Sequence, residues 1–159
     1  MAVPDYLMSS DVETHLSTVV ESYQRCYSEP MFADTYQGSE LVEKVWQAAF
    51  ALVSHGTEDD PIFNFANQTA LDLFEMDFET FTSLPSKQSA ENEKLTQTER
   101  DALLKEVTNS GCIDNYSGVR ISAKGRRFFV ENARVWNLTD TAGKHVGQAA
   151  LLRQWKFID

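Results

Sequence analysis

No hydrophobic run in these 159 residues approaches the roughly 18 that a membrane span requires, and the mean hydropathy is slightly negative. Residues 1–10 have neither the basic start nor the apolar stretch of a secretory signal, so a soluble, cytoplasmic protein is expected. Cysteine is scarce. Cys26 and Cys112 are far apart and belong to no CxxC or His-spaced pattern, which points away from a zinc site or a disulfide framework and toward two reduced thiols. The motifs by which catalytic sites usually announce themselves are missing too: there is no P-loop, no GxGxxG, no GxSxG and no HExxH. Nothing in the sequence therefore points to an enzyme. His55, Glu58, Asp59 and Asp60 carry metal-ligand side chains, but in a hairpin turn, where acidic residues serve solubility and turn chemistry.

What is present is globular. The hydrophobic fraction is 42% and the charged fraction 24%, enough for one core in one domain spanning 1–159. The net charge of −10 disfavours nucleic acid and anionic membrane as partners, since both would repel the protein as a whole. The charge is unevenly spread: residues 1–111 hold 20 acidic and 6 basic side chains, residues 112–159 only 4 acidic and 8 basic. Opposite surfaces of that kind predict either neutralisation within the fold or self-association through complementary charge.

Local patterns divide the chain into an N-terminal helical segment, 1–46, and a core, 47–159. Ser10 and Asp11 can cap a helix over 11–27 with Val12, Leu16, Val19, Val20 and Tyr23 on one face. Ser39 caps a second helix through Trp46. Residues 49–53 and 62–66 read as two strands of a hairpin, and Asn67 as the cap of a helix over 68–75. A further helical turn over 77–81, a polar loop over 86–97 and a helix over 99–109 follow. Then come three strands, 113–122, 126–138 and 145–155. In the second of these, alternation places Phe128, Val130 and Trp136 on one face and Phe129 and Val135 on the other. A sheet apolar on both faces needs cover on both, so the first helix, from the same chain or exchanged across a homodimer, is expected on the outer side. Segregated strands and helices predict an α+β fold with an antiparallel sheet.

This order of elements resembles that of PAS domains. DPIFNFANQTALDLF, over 60–74, resembles the segment of PAS domains that runs from the second strand into the first helix. DNYSGVRISAKGRRFFVENARVWNL, over 114–138, together with GQAA over 147–150, resembles the C-terminal half of the MEKHLA family, a PAS-related domain. That family occurs as stand-alone bacterial and algal proteins and as the C-terminal domain of plant class III homeodomain leucine-zipper proteins. The resemblance implies a five-stranded antiparallel PAS-like sheet with helices on one face. It implies a sensory or regulatory module acting by small-molecule binding, by homodimerisation or by both. Ligand-free structural dimerisation is the alternative, and a small enzyme using the same cleft a more distant one. No homeodomain or leucine zipper is present, so no DNA binding carries over.

Among PAS-type cofactors, the resemblance argues against two. Residues 84–95 lack the Cys of light-driven flavin adducts, and the helix at 99–110 lacks a haem-ligating His. The cofactor is otherwise unknown. A PAS-type cavity would lie under the helices, and alternation puts Tyr116, Gly118 and Arg120 on one face of their strand, with Glu131 or Asn132 offered by the next. An inward Arg120 must be paired, by Glu131 or by an anionic ligand, because a buried unpaired charge costs several kcal/mol. Tyr116, Arg120, Glu131, Asn132 and Asn67 are therefore the candidate ligand-binding residues. A plain salt bridge at Arg120 and a plain helix cap at Asn67 stand beside that reading.

Overall fold

The computed structural model describes residues 3–85, 105 and 111–158; the expected loop over 86–97 and nearly all of the expected helix over 99–109 lie outside them. After a short 3-10 turn, Asp5–Leu7, helix α1 spans Ser10–Tyr27 and α2 Gly38–Gln47. Strands β1 (Ala51–His55) and β2 (Phe63–Ala66) form the expected antiparallel hairpin, with Val53 opposite Ala66. Helices α3 (Gln68–Phe74) and α4 (Phe78–Phe81) follow, then β3 (Cys112–Ile121), β4 (Arg127–Thr139), β5 (His145–Leu152) and β6 (Gln154–Phe157). The sheet order is β2-β1-β5-β4-β3, antiparallel throughout, with β6 running on from β5 past Arg153 along the first half of β4. The two segments fill the place of one fifth strand.

Side chains at the helix starts explain where they begin. Ser9, one residue before the expected cap, accepts the Val12 amide in α1; Asn67 accepts Ala70 in α3 and Asp77 accepts Thr80 in α4. Helix α2 starts at Gly38, and its cap position, Gln37, makes no side-chain cap and lies two residues before the expected cap Ser39.

β4 makes the two faces. Its alternation is broken at Asn132, which has φ +54, a conformation an Asn tolerates better than most residues. Across this point the β3 partners advance by two, from Tyr116 to Gly118, while those on β4 advance by three, from Ala133 to Val130. That is a β-bulge, and it reverses the parity of the strand beyond it. Trp136 therefore does not share a face with Phe128 and Val130, as unbroken alternation predicts. Phe128 packs edge-on to Phe74 of α3 on the helix side, whereas Trp136 meets Tyr23 and Tyr27 of α1.

Helix α1 lies across the opposite face of the sheet, donated by the same chain. It buries Leu16, Val19 and Tyr23 completely, with Val12 and Val20 half-buried at the margins. Burying those three is worth roughly 5–8 kcal/mol before the entropy of ordering is subtracted. Polar ties fix its register. The Trp136 indole donates to the Val19 carbonyl at 3.2 Å, and the Thr139 amide donates to the buried Ser22 hydroxyl at 3.1 Å. Arg25 donates to the Thr139 hydroxyl and carbonyl, and Arg134 of β4 bridges Tyr23 and Glu29. The Glu29–Arg134 pair joins the acidic first part of the chain to the basic last part, as does Glu75 with Lys124 at 4.0 Å. Some of the charge asymmetry is thus neutralised within the fold. None of the helices, over the described residues, is long and apolar enough to cross a membrane.

Candidate functional site

Two of the five candidate residues, Tyr116 and Arg120, share the sheet face turned away from α1. Directly opposed residues in an antiparallel pair share a face. Tyr116 opposes Ala133, Gly118 opposes Val130 and Arg120 opposes Phe128, so all three β3 residues lie on the side of Phe128. The predicted alternation of Tyr116 and Arg120 is present. Gly118 matters because the Tyr116 ring folds across it: a Cβ there would stand 2.3 Å from the phenol oxygen. The Arg120 guanidinium sits 5.1 Å from the Tyr116 ring centre and donates to the Val119 carbonyl at 2.9 Å.

Glu131 and Asn132 do not join them. Glu131 is one residue from Val130, hence on the other face, where its carboxylate pairs with Lys156 at 3.5 Å. Asn132 is the exposed bulge residue, and its amide donates to the Ser117 hydroxyl at 3.3 Å. The expected Arg120–Glu131 pairing is therefore not made, for a reason of parity. Asn67 is fully buried. Its Oδ1 accepts the Leu52 and Ala70 amides at 3.0 and 3.1 Å, and its Nδ2 donates to the Val45 and Phe50 carbonyls at 3.0 and 2.9 Å. Every hydrogen-bonding site of that side chain is used in joining α2, β1 and α3.

Sequence reasoning missed two further polar residues on the helix-side face, Gln148 and Asn137. His55 of β1, Gln148 of β5 and Asn137 of β4 oppose one another in one cross-strand row, adjacent to the row of Val53, Ala150 and Val135. Gln148 is 5% exposed; its Nε2 donates to Asn137 Oδ1 at 3.1 Å, while its Oε1 is buried without a partner among the described residues. A buried unsatisfied acceptor costs about 1–3 kcal/mol, which makes it a place where a donor from outside the chain would be favoured. The signal lay in β5. Val146, Gln148, Ala150 and Leu152 alternate on one face, and a glutamine in an otherwise apolar row is the anomaly.

Below α1, the His15 ring lies 2.9 Å from the Ser54 hydroxyl, a nucleophile-and-base pairing on distance alone. The surroundings argue otherwise. Ser54 is 1% exposed and gives its proton to Asn64 Oδ1 at 2.5 Å, so His15 Nε2 is the donor to Ser54 and not a base toward it. Burial holds His15 below its ordinary pKa, in the neutral form. In the β1–β2 turn, His55 Nδ1 donates to the Gly56 carbonyl and Glu58 accepts the Ile62 amide. Among the described residues no three His, Cys, Asp or Glu side chains converge to hold a metal. The face offers hydrogen bonds, one cation and an aromatic ring.

Residues 13–157 match the MEKHLA domain. Homeobox-leucine zipper protein ATHB-9 of Arabidopsis thaliana is 29% identical over 154 residues, which is 89% of this chain; the chain spans under a fifth, 18%, of that relative. Among solved structures, the PAS domain of a protein from Colwellia psychrerythraea superposes with a TM-score of 0.62 at 13% identity, over 73% of this chain and 94% of that one. The photo-excited blue-light photoreceptor Vivid gives a TM-score of 0.62 at 10% identity, over 92% and 98%. At such identities the likeness is one of fold: a PAS/LOV-like antiparallel sheet with an added N-terminal helix.

Proposed function

The chain belongs to the MEKHLA domain family, and on that premise we propose that it is a sensory or regulatory module that holds a small molecule against the helix-side face of its sheet. The observation that carries this reading is the buried Oε1 of Gln148, which has no partner among the described residues and is set beside Asn137 in the row next to Val53, Ala150 and Val135. An apolar surface with one or two fixed polar groups is the usual chemistry of a small-molecule site. The ligand would bring a hydrogen-bond donor to Gln148 and a flat or apolar body to the face. Tyr116 and Arg120, on the same face, would serve a ring or an anionic group. Asn67, Glu131 and Asn132 fit a ligand-contact role less well, because their groups are occupied elsewhere or turned away.

Action through homodimerisation, with or without a ligand, is the second mode expected of such a module. It has less support, because α1 of the same chain already covers the outer face of the sheet. The net charge of −10 favours small-molecule or protein partners over nucleic acid.

Native mass spectrometry and an absorption spectrum of the purified full chain test the proposal, with flavin mononucleotide as an added probe. The expected result is a monomer carrying added small-molecule mass, or one taking up the flavin, with either lost in Gln148→Leu. A dimer of bare chains that takes up no flavin would replace ligand binding with structural dimerisation.

A further inference from the structure

The two cysteines lie 86 positions apart in sequence and meet where the end of α1 crosses the start of β3. Cys26 Sγ donates to the Gly111 carbonyl at 3.5 Å, and Cys112 Sγ lies 3.7 Å from the Cys26 carbonyl. Each thiol thus points at the backbone of the other's segment. Both are free and half-buried, so neither is sealed in the core. Next to them the Tyr27 hydroxyl donates to the Ile113 carbonyl at 2.5 Å, holding this corner of the helix against the sheet.

We propose that Cys26 and Cys112 form an intramolecular, reversible disulfide that locks α1 onto the sheet when the protein meets a peroxide oxidant. The geometry requires only that each Sγ swing from a carbonyl toward its neighbour, since both are already at the contact between the segments. The chemistry balances in two steps. Cys112 Sγ attacks one oxygen of hydrogen peroxide, the O–O bond breaks, and water leaves, giving a sulfenic acid. Cys26 Sγ then displaces the sulfenic oxygen, losing its proton as a second water departs, and the S–S bond forms. Two thiols give up two electrons and two protons, and the peroxide is reduced to two waters. Cys112 is assigned the first attack because burial and the neighbouring Cys112 push the Cys26 thiol up to about 12, which keeps the Cys26 thiolate scarce toward peroxide; once the sulfenic acid stands beside it, proximity carries the second step.

What the bond would do follows from where it sits. Helix α1 covers the outer sheet face, and its C-terminal end is held by side-chain contacts to β3 and β4. A covalent tie there closes a long loop and removes much freedom from the unfolded chain. Oxidation would therefore clamp the helix and reduction would release it.

The test uses the full chain, reduced, desalted and exposed to hydrogen peroxide. The expected product is a monomer lighter by about 2 Da, with both thiols closed to alkylation, a 26–112 cross-linked peptide on digestion, and full reversal by dithiothreitol. Its Tm should rise by roughly 5–15 °C over the reduced form. Cys26→Ser and Cys112→Ser should each abolish the mass loss and the rise in Tm under oxidation while folding normally when reduced. Two thiols still open to alkylation after peroxide, irreversible oxygen adducts, or cross-links between chains would overturn the proposal. An internal disulfide that left Tm unchanged would overturn the clamp.

Discussion

Replacing Asn67 by alanine should unfold the junction between α2, β1 and α3 more severely than its small change in volume suggests. The side chain accepts two amides, from Leu52 and Ala70, and donates to two carbonyls, of Val45 and Phe50, all in a fully buried setting. Val45 keeps a second partner, the Ala48 amide at 3.3 Å. The Leu52 and Ala70 amides would lose the Asn67 acceptor, and a buried orphan donor costs about 1–3 kcal/mol, so the two together, with the lost helix cap and the cavity, make about 3–5 kcal/mol. For a domain of this length that lowers Tm by roughly 6–20 °C. Urea unfolding followed by tryptophan fluorescence reads the change as a shift in midpoint. Asn67→Asp separates the contributions: it keeps both acceptors but turns a carboxylate oxygen toward two carbonyls, and should be at least as damaging at neutral pH. A loss below about 1 kcal/mol in Asn67→Ala would refute the reasoning. Were that small loss joined to a fall in ligand uptake, Asn67 would be a ligand contact after all.

Other outcomes follow from single contacts. His15 is held below its ordinary value of 6.5 by burial, so the unfolded chain takes up the proton first. Its contribution is fully present above about pH 6.5 and is lost as pH falls toward the depressed folded value, and the difference in stability between wild type and His15→Gln should shrink or reverse over that window in a pH series of denaturation curves; a difference independent of pH would contradict it. Gly147→Ala would place a Cβ 2.3 Å from the His55 carbonyl oxygen, a backbone atom with little room to retreat. Circular dichroism melting should show a loss of about 2–3 kcal/mol, and a neutral result would mean that β1 and β5 can part without cost. Deleting residues 1–30 uncovers Trp136 and removes Leu16, Val19 and Tyr23; light scattering should report aggregation or a changed mass, and an equally soluble, equally stable monomer would make α1 dispensable.

How far the fold could be read from the residues depended on how local its causes are. The cap at Asn67, the helical turn over 77–81, the β1–β2 hairpin and the three long strands of the C-terminal half are written in adjacent residues, and their expected positions lie within a few residues of those observed. The buried stripe of α1 was legible from spacing. That Ser22 is buried with it was not, because its reason is the Thr139 amide, 117 positions away. The bulge was harder still. One residue with positive φ, Asn132, decides which side of the sheet every later residue of β4 faces, and no periodicity in the strand marks it. Its effect reaches the candidate site twice. It turns Trp136 to α1, completing the outer layer with the chain's own helix. It also restores Ala133, Val135 and Asn137 to the side of Val130, so that β4 brings Asn137 up to Gln148 on the same face as Tyr116 and Arg120. Without the inserted residue, the arginine and the buried glutamine would look out from opposite faces of the sheet, and no single ligand could meet both.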